Sequence, residues 1–361
     1  MPRPDIARQR IVNQGLVRPK LTTARDVVAL LGAVQAQDYA GAKWGIAQRT
    51  RGLSDAQIDK EIDDGTIIRT HVLRPTWHFV AAADIGWMLE LTAPRVHAAN
   101  AYWYRWLEVD DAVVRRSRAV LTKALGEGKH LTRAEVGQAL TRAKIQVGEP
   151  VRLACIVMRA ELDGLICSGA RRGKQFTYTL LEERVTKPAT LERDAALAEL
   201  ARRYFMTRGP ATVDDFSWWS GLTKAAAKRG VEAAASHLRH ESIEGKSYWS
   251  PDAGAVARIS APLTHLLPNY DEYIVGLKDR SAYGLRLQYA GVKPRTSALS
   301  GHSLIVNGQI VGGWRRTLVG RSVVIEPRPL IRLSDAERRA VGMAARKLGR
   351  FLGLPARIRW R

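Results

Sequence analysis

The chain has 361 residues, 46% of them apolar, which at roughly 150 residues per domain is enough for two or three compact units. Lys and Arg number 57 against 35 Asp and Glu, a formal net charge of +22, so polyanions, and nucleic acid first among them, are the expected partners. No apolar run reaches the about 18 residues that a membrane helix needs, and the opening MPRPDIARQRIVNQG lacks the apolar middle of a signal peptide. A soluble cytoplasmic protein with no membrane partner is the expectation.

Along the chain, the first ninety residues predict helices near 5–14, 23–35 and 54–63, then alternating apolar residues in IIRTHVLRPTWHFVA at 67–81. The helical run before residue 35 ends in two amides, Gln35 and Gln37, within VQAQDY. From 131 to 180 a short helix opened by Thr132 with Glu135 three residues on, a longer helix around Leu153–Leu162, and two strands joined by the basic turn GARRGKQ follow one another. The order helix, helix, hairpin returns at 191–250, through LERDAALAELARRYFMTRG, TVDDFSWWSGL, TKAAAKRGVEAAASHLRH and a hairpin at IEGKSYW. After Pro262 the texture turns β-rich, with an Asn307-Gly308 hairpin turn, and a last helix is expected from Asp335 to Phe351, capped by Ser334 and stopped at Gly353. The fold class read from this pattern is α+β. Three tandem winged helix-turn-helix units, at 1–115, 116–190 and 191–258, precede a β-rich C-terminal domain with a terminal helix at 259–361.

Several chemistries lack their signatures. There is no Walker loop, dinucleotide glycine fingerprint, GxSxG elbow or zinc spacing. Cys155 and Cys167 stand in no metal or redox motif and are expected to be buried thiols. His71 and His78 are not expected to form a metal pair, and no metal or cofactor is implied. Asp271 and Glu272 in PNYDEYIVGLKDR could serve as acid or base, but a capping or Arg-paired role near Lys278 and Arg280 is favoured. Trp218 and Trp219 read as core. At the turn GARRGKQ, glycine permits the bend while Arg171, Arg172 and Lys174 offer charge to phosphates. Gln35 and Gln37 read in isolation as polar side chains finishing a helix. Their neighbours Trp44, Arg49, Arg69, Arg74, Trp77 and His78 add stacking surfaces and phosphate donors, which favours nucleic acid.

VQAQDY with AKWGIAQR, IIRTHVLRPTWHFV, ELTAPRV, LLPNYDEYIVGLKDR and VNGQIVGGWRR, in that order, together resemble the AlkZ-like and YcaQ-like bacterial winged-helix superfamily. Its characterised members are monofunctional DNA glycosylases that excise alkylated purines and unhook interstrand crosslinks. The resemblance implies a Gln, apolar, Gln motif on Gln35, Ala36 and Gln37. The partner it implies is double-stranded DNA carrying N-alkylated purines, and the site is a nucleoid-associated one. It also implies that the hairpin with Trp314, Arg315 and Arg316 faces DNA. The chemistry is consistent, because a purine alkylated at N7 or N3 is already cationic and leaves as a neutral base; an amide that orients water by geometry then suffices. No lysine stands out as a Schiff-base nucleophile. Tandem units in one chain remove the need for a dimer, so a monomer with no obligate protein partner is expected. The competing readings are a non-enzymatic DNA-binding module, which sequence-preferring binding without any product would reveal, and sequestration of an intercalating molecule in an aromatic cavity.

Overall fold

The structure, a computed structural model, describes residues 3–252, 262–292 and 301–360. The stretches 253–261 and 293–300, which the expected β-rich domain includes in part, lie outside the described residues. Helix α1 (Arg3–Asn13) leads to α2 (Ala24–Leu31), a two-residue strand β1 (Val34–Gln35), α3 (Tyr39–Ala47), α4 (Asp55–Asp63) and the hairpin of β2 (Ile67–Val72) and β3 (Arg74–Ala81). A long helix α5 (Ile85–Trp106) then precedes α6 (Asp111–Leu125), β4 (Leu131–Thr132), α7 (Arg133–Arg142), α8 (Pro150–Leu162), β5 (Ile166–Ser168), β6 (Thr177–Leu180) and the single turn α9 (Leu181–Arg184). The third stretch contains α10 (Arg193–Arg208), α11 (Val213–Ser220), α12 (Lys224–Ala234), β7 (Leu238–Ile243) and β8 (Lys246–Pro251). The last contains β9 (Thr264–Leu267), α13 (Glu272–Val275), α14 (Leu285–Tyr289), β10 (Ser303–Val306), β11 (Gln309–Val319), β12 (Ser322–Pro329), α15 (Asp335–Leu352) and β13 (Ala356–Ile358).

Local chemistry sets most of these boundaries. Thr132 and Glu135 form the expected capping box on α7, and Ser334 forms one with Glu337 on α15, whose end is a left-handed Gly353. The expected helix at 23–35 is shorter than its apolar run suggests. Gly32, at φ 78, closes α2 after Leu31, and the chain re-enters as a strand, so Gln35 is not a helix-terminal residue. The long α5 was not anticipated as an element; Pro94 sits inside it. The expected boundary at 115/116 falls within α6.

One connectivity occurs three times. Helix α2, strand β1, helices α3 and α4 and a hairpin give the sheet order β1-β3-β2; helix α6, strand β4, helices α7 and α8 and a hairpin give β4-β6-β5. In the third stretch, Ala211 bridges to Trp249 of β8, which pairs with β7. Each time the segment after the first helix closes on the last strand of the hairpin. The C-terminal sheet runs β13-β12-β11-β10-β9, antiparallel except for the parallel edge pair β12–β13.

The apolar core ignores these divisions. One cluster joins Ile68 and Val80 of the first hairpin to Trp87 and Met88 of α5, Leu200 and Phe205 of α10, Trp219 of α11 and Tyr273 near the C-terminal sheet. A second joins Trp44 of α3 to Trp314, Ile325 and Phe351. The stretch 104–180 keeps a core largely its own around Leu121, Leu140, Ile156 and Tyr178, while Cys167 packs into the first cluster. Such shared burial ties the first, third and C-terminal stretches together, because exposing any one strips apolar surface from the others. Among the described residues, no helix is long and apolar enough to cross a membrane.

Candidate active site

Strand β1 holds the Gln-Ala-Gln motif against β3, with Val34 opposite Phe79 and Gln35 opposite His78. The Ala36 amide donates to the Trp77 carbonyl (2.7 Å), and the Ala36 carbonyl accepts from Arg69 Nε (3.2 Å). Gln35 is buried and held at both ends. Its backbone N–H donates to Glu272 Oε1 (2.9 Å), and its side-chain Oε1 accepts from Arg74 Nη2 (3.2 Å). Gln37 is exposed, and the next residue, Asp38, caps α3 by accepting from the Gly41 N–H (3.0 Å). One amide is therefore locked, while its neighbour is presented to solvent from a strand-to-helix junction that cannot shift without breaking a cap.

Behind the motif lies a buried ionic frame. Glu272 Oε2 accepts from Arg208 Nη2 and from Trp219 Nε1 (3.0 Å). Asp271 accepts from Arg49 through both oxygens (2.8 and 3.0 Å). The acidic pair is thus Arg-paired, as favoured, but its partners are Arg49 and Arg208 rather than Lys278 and Arg280. Arg74 lies with its Cζ 4.9 Å from the Trp218 ring. Gly221, at φ +71, lets α11 approach the turn that carries Arg74, since a Cβ there would meet the Leu73 carbonyl oxygen at 2.2 Å.

Beside the motif opens a cleft of about 340 Å³ lined by Arg69, Trp77, Thr132, Arg133, Lys174, Gln175, Phe176 and Tyr178. The guanidinium of Arg69 is flanked by two rings, 4.3 Å from Trp77 and 4.5 Å from Phe176. The turn GARRGKQ delivers Lys174 to this cleft, exposed at its rim. Its arginines are more committed. Arg171 bonds Asp59 (3.4 Å) and stacks on Tyr39, and Arg172 bonds Glu135 (2.8 Å) and the His130 carbonyl (2.7 Å).

Five of the expected contact residues are buried; Arg69 still lines the cleft, and the other four are internal. Arg49 is 2% exposed, and besides Asp271 it donates to Gly45 O, Gln14 O and Gln14 Oε1; a phosphate would have to displace a carboxylate. Trp314 is 3% exposed and donates Nε1–H to the Leu267 carbonyl (2.8 Å), so it anchors the C-terminal sheet and does not project toward DNA. Trp44 is likewise sealed, bonding the Leu266 carbonyl (2.7 Å). His78 is fully buried and donates from Nδ1 to the Thr76 carbonyl (2.9 Å); burial, then the Arg74 charge, push its pKa well below the usual histidine range, so it offers no cation. Arg315 is exposed and Arg316 half-buried on β11, on the hairpin that ends in exposed Leu318 and Val319.

Phe176, Arg133 and Tyr39 belong to this neighbourhood although none was anticipated at it, and Glu272, anticipated as an Arg-paired or capping carboxylate, belongs to it through the Gln35 backbone. Phe176 had a visible signal, an aromatic directly after a basic turn, whereas Glu272 lies 237 residues from the backbone it holds. Among the described residues, no group of three or more His, Cys, Asp or Glu is placed to hold a metal ion. Cys155 and Cys167 are buried thiols, the second pushed up to about 12 by desolvation.

An exposed, uncharged amide just past strand β1, one residue from the Ala36 carbonyl that Arg69 of the cleft bonds, suits a polyanion and an ordered water. The chain belongs to the AlkZ-like DNA glycosylase family, whose model, described as DNA glycosylase AlkZ-like, matches residues 28–351. A curated relative, the interstrand DNA cross-link repair glycosylase of Streptomyces sahachiroi, is 25% identical over 358 residues, covering 93% of each chain. The solved structure of the Streptomyces sahachiroi DNA glycosylase AlkZ covers 99% of both chains at a TM-score of 0.79 and 24% identity, a likeness of fold.

Proposed function

We propose that this glycosylase removes N-alkylated purines from double-stranded DNA, crosslinked purines included, as a monomer of the nucleoid with no obligate protein partner. The observation that carries the reading is the unequal pair of amides: Gln35 locked by Arg74 and Glu272, and Gln37 exposed directly after Ala36, whose carbonyl takes the guanidinium of Arg69 from the aromatic and cationic cleft. In this reading Gln37 is the catalytic residue and Gln35 a positioning residue. The Gln37 side chain orders a water through its carbonyl acceptor and NH2 donor. That water adds to C1′ of the nucleotide as the bond from C1′ to the purine nitrogen breaks. The electron pair leaves with the base, which thereby loses its formal positive charge, and the water proton passes to solvent. A normal base carries no such charge, and its higher barrier spares it, each ~1.4 kcal/mol being about tenfold in rate.

The three repeats are read as winged-helix units, with the domain partition of the sequence analysis adjusted so that α6 opens the second. Arg69, Arg74, Trp77, Arg171, Arg172, Lys174, Arg315 and Arg316 form the proposed DNA contact set. The decisive assay is release of 7-methylguanine from methylated duplex DNA. Wild type is expected to release it; Gln37→Ala is expected to lose at least about a hundredfold in rate, with duplex affinity within a few fold. Full release by Gln37→Ala would overturn the mechanism, and no release by wild type from any alkylated duplex would overturn the substrate.

A further inference from the structure

The Arg69 guanidinium is an anomaly. It is 7% exposed, its hydrogen bond is to the Ala36 carbonyl, and among the described residues no carboxylate lies within ion-pair distance of it. Burying a cation without a carboxylate in contact is costly, and the buried Glu161 favours the charge only through space. What replaces the carboxylate is a pair of ring faces, since Trp77 and Phe176 flank the guanidinium at 4.3 and 4.5 Å and attract it through their quadrupoles. Both rings are braced from behind. Trp77 lies 4.5 Å from the His71 ring, which bonds the buried Glu161. Phe176 meets Tyr39 edge-on at 5.1 Å, and Tyr39 donates its hydroxyl to Asp59 (2.6 Å).

We propose that the space between Trp77 and Phe176 is a nucleobase slot selective for planar cations, and that Arg69 is its placeholder. The inference rests on the proposed function and adds the element that would recognise the lesion. A guanidinium is a flat, delocalised cation, and a purine alkylated at N7 or N3 is another. A normal purine has the same shape without the charge, so the two rings favour the damaged base by the cation–π term alone. The slot touches the motif directly, because Arg69 bonds Ala36 and the Trp77 carbonyl accepts from the same residue. A base between the rings would bring its sugar alongside Gln37. When the base enters, Arg69 swings to the cleft rim beside Arg133 and Lys174, where the strand's phosphates neutralise it. The base loses its charge as the glycosidic bond breaks, so the rings hold the substrate more tightly than the product. They act in selection and in release, while Gln37 acts on the bond.

The test is fluorescence anisotropy of the full chain on two duplexes, one with a single 7-methyl-2′-fluoro-2′-deoxyguanosine, which resists cleavage, the other with dG. The quantity read is the ratio of the two Kd values, which isolates the slot from any change in overall DNA affinity. Wild type should prefer the lesion. Trp77→Leu and Phe176→Leu should each lower that preference by about tenfold, Trp77→Phe should retain it, and Arg69→Ala, which vacates the slot, should keep or raise it. Phe176 sits on an exposed turn, so its variant should fold even if Trp77→Leu does not. An undiminished preference in Phe176→Leu, or its loss in Arg69→Ala alone, overturns the slot. Base release measured in parallel separates the two claims. Release by wild type with a ring-independent preference refutes the slot only, whereas neither release nor preference refutes both.

Discussion

Replacing Arg49 with Met removes a guanidinium that makes five hydrogen bonds, at 2.6 to 3.2 Å, to Asp271, Gln14 and Gly45. The side chains of the ion pair are 2% and 1% exposed, so solvent cannot take over the carboxylate. Removing one partner of such a pair costs about 3–5 kcal/mol, because the other charge is stranded. Unfolding entropy of about 2.1 cal/mol/K per residue gives about 0.76 kcal/mol/K for a chain of this length. The midpoint of thermal unfolding should therefore fall by about 4–7 °C. The loss should shrink when Asp271→Asn is added, since the double variant strands no charge. Duplex affinity should stay within about twofold of wild type across a salt series, and the salt slope should not change, because no phosphate contact is lost. Circular dichroism melts of both single variants and the double, together with anisotropy titrations, measure all three quantities. An unaltered melt combined with a salt slope reduced by about one would show Arg49 bound to phosphate and refute its assignment to the frame.

Trp314→Leu should likewise cost stability, about 2–4 kcal/mol, without altering DNA affinity; a variant that melts normally but binds DNA weakly would return Trp314 to the interface. Lys174→Ala should weaken duplex binding uniformly across sequences and reduce the salt slope by about one, whereas Arg172→Ala should do less, because Glu135 already holds that guanidinium at 2.8 Å. Glu272→Gln keeps the shape but removes the charge opposite Arg208, so both base release and the unfolding midpoint should drop; normal release would separate Glu272 from the Gln35 strand it holds. His265 is buried, and desolvation followed by the Lys347 charge push its pKa from 6.5 to about 3. Its folded pKa lies below the unfolded one, so the unfolded chain takes the proton first. The stabilisation is complete above about 6.5 and is lost toward 3, by up to about 1.4 kcal/mol per pH unit. Chemical denaturation of wild type and His265→Asn over that window should give a shallower pH dependence in the variant; equal slopes would locate the acid sensitivity elsewhere.

Much of the local structure was determined by neighbours a few residues apart. Thr132 with Glu135 and Ser334 with Glu337 start helices, Gly32 and Gly353 end them, and Asn307-Gly308 turns a hairpin, because caps and tight turns are satisfied within one turn of chain. The Gln-Ala-Gln motif and the basic turn were legible for the same reason, as short contiguous patterns. Burial was not local. Arg49 and Arg315 are both arginines in polar stretches, yet the first faces Asp271, 222 residues away, and the second faces solvent. The same holds for Trp77 at the cleft and Trp314 in the core, and for Gln35 locked while Gln37 is free. An arginine, a tryptophan or an amide can serve equally in a core or at a surface, and only the distant segments packed around it decide which of its bonds are made by the protein and which are left for a ligand.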